Sequence, residues 1–428
     1  MTLKARIILI GILQILWFNQ ELSAQLDYNS IVPIDSVYHP LVRTVNFRED
    51  IDQVSMPILY LDRPYSLDLH FDILEGSPRN LFYGYCYYNQ DWTPSNLQLM
   101  EYLGGFNEME IRTFRASSQT YLPYVHYTAS LPGRDYAFKV SGNYLLVVYD
   151  NSGEIYLTRR VYLTDNSFKV NPRFQIPIDP EITRTHQSMT LTVTGTNKTT
   201  IINPSKEIRV EVWQNGSAIN KTVLGDPFFF NGNQINYTKQ DGILYPAMKE
   251  FRRKDVRSIQ HRTIGVSYWD QIGNDFHCYF KMDSTRSNQL YRFEFDFNGR
   301  YYVGFEDQID ARGDYLSEYV WCHPVLKTSI ESEYPVYVYG AISDWKLKDE
   351  FKMTYDPTEG VYKGKFYIKN SVFDYLYATI NDDGSINTSL YEGDWYETEN
   401  DYFVLVYFRP FGGRYDQLVF AGRFNSNR

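Results

Sequence analysis

The sequence has little cysteine: Cys86, Cys278 and Cys322 are the three in 428 residues. A scaffold held by disulfides carries many more, so this fold must rest on its cores. At most one bridge can close within a chain. If one does, Cys278–Cys322 is the expected pair, since both fall in one expected domain and Cys86 in another. Basic charge is also short: 42 Lys and Arg stand against 52 Asp and Glu, a net charge of −10 with no basic stripe. That argues against nucleic acid as a partner. Beyond the N-terminus no apolar run is long enough to read as a membrane-spanning helix.

Catalytic motifs are missing as well. Gly265-Val266-Ser267-Tyr268-Trp269 fails as a nucleophile elbow at its last position, and no phosphate loop, zinc-protease or dinucleotide fingerprint is found. Asp307, Asp310 and Asp314 lack the spacing of a calcium loop and read as solvated acids near a turn. His277-Cys278 and Cys322-His323 supply the residue types of a zinc site. Neighbours on a strand point to opposite faces, however, so four such side chains cannot converge. Glu294 and Asp296 share a face, as a glycosidase acid pair would. A solvent edge opposite Phe293, Phe295 and Phe297 accounts for them equally well. The expectation is no catalytic residue, no metal, no cofactor and no enzyme.

What the sequence has is aromatic side chains, 17% of the total and 39 of them Tyr. Tyr, Phe, Val, Ile and Thr suit pleated, half-buried surfaces, and helical periodicity is scarce. The fold class expected is all-β, as tandem immunoglobulin-like β-sandwich domains. Lys4 and Arg6 precede the apolar run Ile7–Phe18, and Leu22-Ser23-Ala24 offers a cleavage site, so residues 1–24 read as a signal peptide and the location as extracytoplasmic. The first sandwich is placed at residues 25–165, with Tyr65–Phe71, Asn80–Tyr88, Tyr144–Tyr149 and Ile155–Leu163 as strands. Gly142-x-Tyr144-x-Leu146 has the spacing of a tyrosine corner. A second sandwich is expected at residues 166–326 and a third at 327–428. Tyr291–Phe297 is expected as a strand, and Lys249–Ile259 as a stretch able to hold a short helix.

Between two β-rich runs lies Tyr88–Arg112, too long for a hairpin turn and too aromatic for disorder. Pro94 stiffens it and Gly104-Gly105 frees it. Trp92, Pro94, Tyr102, Phe106 and Asn107 are its candidate partner-binding residues, with Trp92, Tyr102 and Phe106 as apolar anchors. Asn107 and Glu108 have the alternative role of fixing the loop by hydrogen bonds to its own backbone. The competing account folds the apolar residues back onto the sandwich.

Three blocks carry a family resemblance. The first is Cys86-Tyr87-Tyr88-Asn89-Gln90-Asp91-Trp92-Thr93-Pro94-Ser95 with Glu101-Tyr102-Leu103-Gly104-Gly105-Phe106-Asn107-Glu108. The second is Ser141-Gly142-Asn143-Tyr144-Leu145-Leu146 with Leu157-Thr158-Arg159-Arg160. The third is Glu397-Thr398-Glu399-Asn400-Asp401-Tyr402 with Tyr407-Phe408-Arg409-Pro410 and Arg414-Tyr415-Asp416. Together they resemble the plug protein family of the Bacteroidetes type IX secretion system. The resemblance implies a non-enzymatic periplasmic protein that binds the outer-membrane translocon barrel of type IX secretion. It would seal the periplasmic opening when no cargo is engaged, without inserting into the membrane itself. Two rival readings stand beside it. Val338-Tyr339-Gly340-Ala341-Ile342-Ser343-Asp344-Trp345 resembles the opening of starch-binding modules, with Trp345 and Trp395 to stack on a glycan. A secreted cargo of the same system is the other.

Overall fold

The computed structural model describes residues 31–427 apart from 50–54, 64–66, 134–135, 197–198, 219–220, 238–241, 307–312 and 330. The expected signal peptide, Tyr65, Asp307 and Asp310 lie outside the described residues. The chain is all-β, as its composition implies. Two sheets form the first sandwich. In one the strand order is Ser36–Val37, Ile155–Thr164, Gly142–Asp150, Leu81–Tyr88, Met109–Glu110, and in the other Val42–Arg48, Leu67–Ile73, Val125–Leu131, Thr113–Ala116. Leu67, Leu69 and Phe71 alternate inward and meet Tyr83, Tyr85, Tyr144 and Leu146 from the opposite sheet. The Tyr144 hydroxyl donates to the Val140 carbonyl at 2.7 Å, the bond a tyrosine corner requires. Gly142 beside it has φ 145°, and a Cβ there would sit 2.2 Å from the Tyr87 hydroxyl.

The second sandwich is not contiguous in sequence, which corrects the serial boundaries at 166–326 and 327–428. Lys169–Gln175 pairs with His186–Thr194, which also carries Gln234–Asn236 and Ile243–Pro246. The facing sheet is completed by the end of the chain: Ile208–Gln214 pairs from Ile208↔Phe408 to Gln214↔Tyr402, and Asp401–Phe408 pairs with Gln417–Asn425. One core joins Met189, Leu191, Val210 and Val212 to Tyr402, Val404 and Val406.

The third sandwich is inserted between these two parts. Arg252–Asp255, within the stretch expected to hold a helix, is a strand on Ser371–Ile380. Cys278↔Cys322 lie in register on the parallel strands Asp275–Phe280 and Tyr319–His323. Both thiols are free and buried, as is Cys86. Cys278 and Cys322 face the third core. His277 and His323 take the opposite face, where Nδ1 and Nε2 lie 2.9 Å apart. Residues 291–297, expected as a strand, are irregular. Glu294 there is exposed, and Asp296 turns inward to accept the Phe251 and Asn298 amides at 2.5 and 3.0 Å. The two acids do not form a pair.

Two runs are apolar at every position, Tyr144–Tyr149 and Tyr402–Phe408, and the assembly explains both. Tyr144, Leu146 and Val148 face the first core, while Leu145, Val147 and Tyr149 face outward. Tyr402, Val404 and Val406 face the second core, while Phe403, Leu405 and Tyr407 face outward. The two outward faces meet in a further apolar seam with Cys86, Tyr88, Trp92 and Trp213. A strand buried on both faces loses its alternation.

Candidate functional site

The loop after Leu81–Tyr88 begins as a tight turn. The Trp92 amide donates to the Asn89 carbonyl at 3.0 Å and the Asn89 amide to the Thr93 carbonyl at 3.0 Å. Asp91 accepts the Thr93 amide and hydroxyl at 3.0 and 2.6 Å. Burial opposes its charge, but these bonds hold its carboxyl below the usual range. Trp92 has φ 64°, a left-handed conformation that a bulky residue keeps only where its surroundings dictate it. They do so here. Trp92 is 8% exposed, its ring meets Tyr162 edge-on at 5.7 Å, and the Arg160 guanidinium covers its face at 4.5 Å.

The turn is stitched to the end of the chain. The Gln90 amide donates to the Asp416 carboxylate at 2.9 Å, and the Tyr87 hydroxyl donates to the Asp416 carbonyl at 2.6 Å. Arg409 grips the Asp416 carboxylate at 2.8 and 2.7 Å and donates to Asn89 Oδ1 at 3.0 Å. Asn143 donates to the Asn89 and Gln90 carbonyls at 3.0 and 3.2 Å and accepts the Tyr407 hydroxyl at 2.8 Å. All three sequence blocks singled out above therefore converge on one seam.

The rest of the loop divides by side chain. Leu97 and Tyr102 turn into the first core, where Tyr102 is 8% exposed and stacks on Tyr87 at 5.6 Å. Leu99–Tyr102 makes one helical turn, capped where Glu101 accepts the Gln98 amide at 2.8 Å. Glu101 also pairs with Arg414. Asn107 takes the place of a strand residue: its Oδ1 accepts the Tyr85 amide and its Nδ2 donates to the Tyr85 carbonyl, each at 2.8 Å. Glu108 accepts the Tyr149 hydroxyl at 3.2 Å. Of its apolar side chains, those that reach solvent are Pro94, Leu99, Met100 at 80% exposure and Phe106 at 86%.

Of the five candidate partner-binding residues, Trp92 and Tyr102 are thus packed, Asn107 is bonded to Tyr85, and Pro94 and Phe106 stand outside. Leu99 and Met100 belong with the exposed pair. Their type alone gave no way to separate them from Leu97 and Tyr102.

A second polar cluster lies between the first and third sandwiches. Among the described residues, His70, His126 and Asp314 bring ligand atoms within 4.8 Å of one another. Asp314 is half-buried and pairs with Arg48 at 2.5 Å, rather than standing in solvent as expected. His126 Nδ1 lies 2.6 Å from Asp72, which also accepts Lys369 at 2.5 Å and the Tyr319 hydroxyl at 2.6 Å. Burial opposes the charge on Asp72, but Lys369 and His126 outweigh it and hold the carboxyl low. Burial, then Arg48 and His126, push His70 down to about 3. Two carboxylates already balance two cations here, so a divalent ion would leave its charge uncompensated in a buried place. The donor set does not favour a metal, and the cluster reads as a polar latch between sandwiches.

Trp345 and Trp395 are not the fully exposed platforms that a surface glycan site would offer. Trp345 is half-buried and meets Phe251 and Tyr339 edge-on at 6.0 and 5.5 Å. Trp395 is half-buried, lies flat against Tyr291 at 5.7 Å, and donates to Glu397 at 3.0 Å. No helix among the described residues is long and apolar enough to cross a membrane.

Residues 42–165 match the family model for the type 9 secretion system plug protein 1st domain. The matched span holds the first and second sequence blocks and ties this sandwich to type IX secretion. The chain is similar to the crystal structure of a hypothetical protein from Parabacteroides merdae. The TM-score is 0.87 at 25% identity, over 92% of this chain and 100% of that one. No curated protein matches.

Proposed function

We propose that this chain is a non-enzymatic periplasmic plug that binds the outer-membrane translocon barrel of type IX secretion and closes its periplasmic opening when no cargo is engaged. The observation that carries this reading is the family match over residues 42–165, the span holding the aromatic loop. A barrel wide enough to pass folded cargo needs a removable seal. Three sandwiches joined by an apolar seam and a charged latch supply a stiff body for one. The contact proposed is the exposed edge of the loop: Leu99, Met100 and Phe106, with Pro94 beside the turn. These side chains stand in water on a backbone fixed at both ends by Asp416 and Tyr85, so docking them costs little ordering. The packing of Trp345 and Trp395 gives the glycan-binding reading no comparable support.

The test is co-purification of the barrel from native envelopes with the double variant Met100→Ala, Phe106→Ala. Binding should fall by roughly 2 kcal/mol or more, the hot-spot range, with the thermal midpoint unchanged. Undiminished co-purification moves the contact off this loop. Absence of any barrel in the wild-type eluate defeats the plug reading itself.

A further inference from the structure

A cleft of about 420 Å3 opens where all three sandwiches meet. Tyr162 of the first, Trp213 of the second and Trp345 of the third give it aromatic walls. Arg159, Arg160, Arg300 and Lys346 line it against two acids, Asp35 and Asp344, an excess of two positive charges among its lining residues. Behind the wall, Asp401 lies 3.4 Å from Arg300 and Lys348 lies 2.6 Å from Asp344, so their opposite charges leave that excess unchanged. A chain with a net charge of −10 has here gathered positive charge in one concave place.

The walls are built with care. Asp344 and Trp345 are consecutive residues at φ 53° and 56°, a costly conformation for both. A Cβ on Gly299 would fall 2.3 Å from the Trp345 ring, so glycine is needed for the ring to sit where it does. Arg159 is aimed by bonds to the Ser36 and Thr158 carbonyls at 3.2 and 3.1 Å. Its contact with Asp344 is loose at 3.4 Å, whereas Arg409 and Asp416 close to 2.7 Å elsewhere in the molecule. A guanidinium so held is oriented without being tightly neutralised, and its fork matches a carboxylate.

We propose that this cleft binds a carboxylate carried beside an apolar ring, the chemistry of a peptide carboxy-terminus ending in a large apolar residue. Ligand pockets run from roughly 300 Å3 upward, so the volume suits such a peptide end. The carboxylate meets Arg159 and Lys346, and the ring lies against Trp345. Because residues of all three sandwiches touch the ligand, its binding also fixes their relative placement.

A free aromatic acid shares this chemistry, and calorimetry with five probes separates the sources: acetyl-Ala-Ala-Phe, its carboxy-terminal amide, phenyllactate, acetate and inorganic phosphate. The peptide acid should bind at least about tenfold more tightly than the amide or phosphate, a difference of about 1.4 kcal/mol. A peptide acid tighter than phenyllactate assigns a chain end, and equal affinity assigns a free acid; both support the carboxylate-and-ring site. Lys346→Gln should weaken the peptide acid several-fold with the thermal midpoint unchanged, and Trp345→Leu should abolish the preference for the phenyl ring over acetate. Equal affinity for acid and amide, phosphate matching the peptide, or no heat from any probe at millimolar concentration overturns the proposal.

Discussion

Trp92, Tyr102 and Phe106 share one loop and face three ways: into the seam between sandwiches, into the first core, and into water. Residue type marked all three as anchors, but an irregular loop has no period from which a face can be read. Trp92→Ala should therefore cost about 3–5 kcal/mol of stability, the range for emptying a buried aromatic site. Phe106→Ala should stay within about 0.5 kcal/mol. Urea unfolding of both variants checks this, and equal midpoints would show that the seam adds nothing at Trp92. The Asn107 amide does hold the loop, but by two bonds of 2.8 Å to the backbone of Tyr85 on the preceding strand, not to the loop's own backbone as weighed from the sequence. Asn107→Ala removes both partners at once. The expected loss is about 1–3 kcal/mol, with exchange of the Tyr85 amide hydrogen accelerated. A Tyr85 amide as protected as before would mean that another group, or water, takes over.

At the scale of strands, much of the first sandwich was legible. Leu67, Leu69 and Phe71 alternate because one face of their strand is core, and Gly142-x-Tyr144 announced its own hydrogen bond. The run Tyr144–Tyr149 read correctly as a strand, and Tyr402–Phe408 is a second doubly buried run. That they bury their backs against each other was not readable, because a doubly buried strand does not name what covers it. Partner choice across the chain was hidden too. Nothing local in Ile208–Gln214 points to Asp401–Phe408 rather than to a nearer strand. This nesting has a direct consequence for fragments. A chain ended after residue 396 lacks Tyr402, Val404 and Val406 from the second core, and the fragment 166–326 lacks them as well. Both should be insoluble or protease-sensitive within 168–247. A cooperative thermal transition for either fragment, with that segment resistant to trypsin, would show that the second sandwich closes without the C-terminal hairpin.

For the whole molecule, the two junctions differ in kind. The seam between the first and second sandwiches is apolar at its centre with the Arg409–Asp416 pair at its edge, whereas the latch between the first and third is ionic throughout and holds two histidines. Apolar burial is indifferent to pH; the latch is not. His70 is packed by Thr128 and His126 and lies in the field of Arg48, Asp314 and Asp72, while Lys369, Tyr319 and Tyr124 enclose the far side of Asp72. The unfolded chain takes up a proton on His70 near the ordinary value of 6.5, but the folded chain does so only at about 3. Between these values the unfolded state binds more protons, so stability is full above 6.5 and falls as pH drops toward 3. The slope is at most about 1.4 kcal/mol per pH unit. Asp296 works the other way. Burial and then Asp374 raise it to about 7, so its unfavourable contribution fades on acidification over much of the same range. A wild-type profile alone would mix the two, and a difference profile would not. His70→Gln keeps a hydrogen-bonding side chain beside His126 and cannot titrate. Chemical denaturation from pH 7 to pH 4.5 should show the wild type losing stability relative to this variant as pH falls. Trypsin should cut at the junction of the first and third sandwiches earlier in the acidified wild type. Parallel stability profiles would remove His70 from the latch as its acid-sensitive part and leave the junction to the pairing of Asp72 with Lys369.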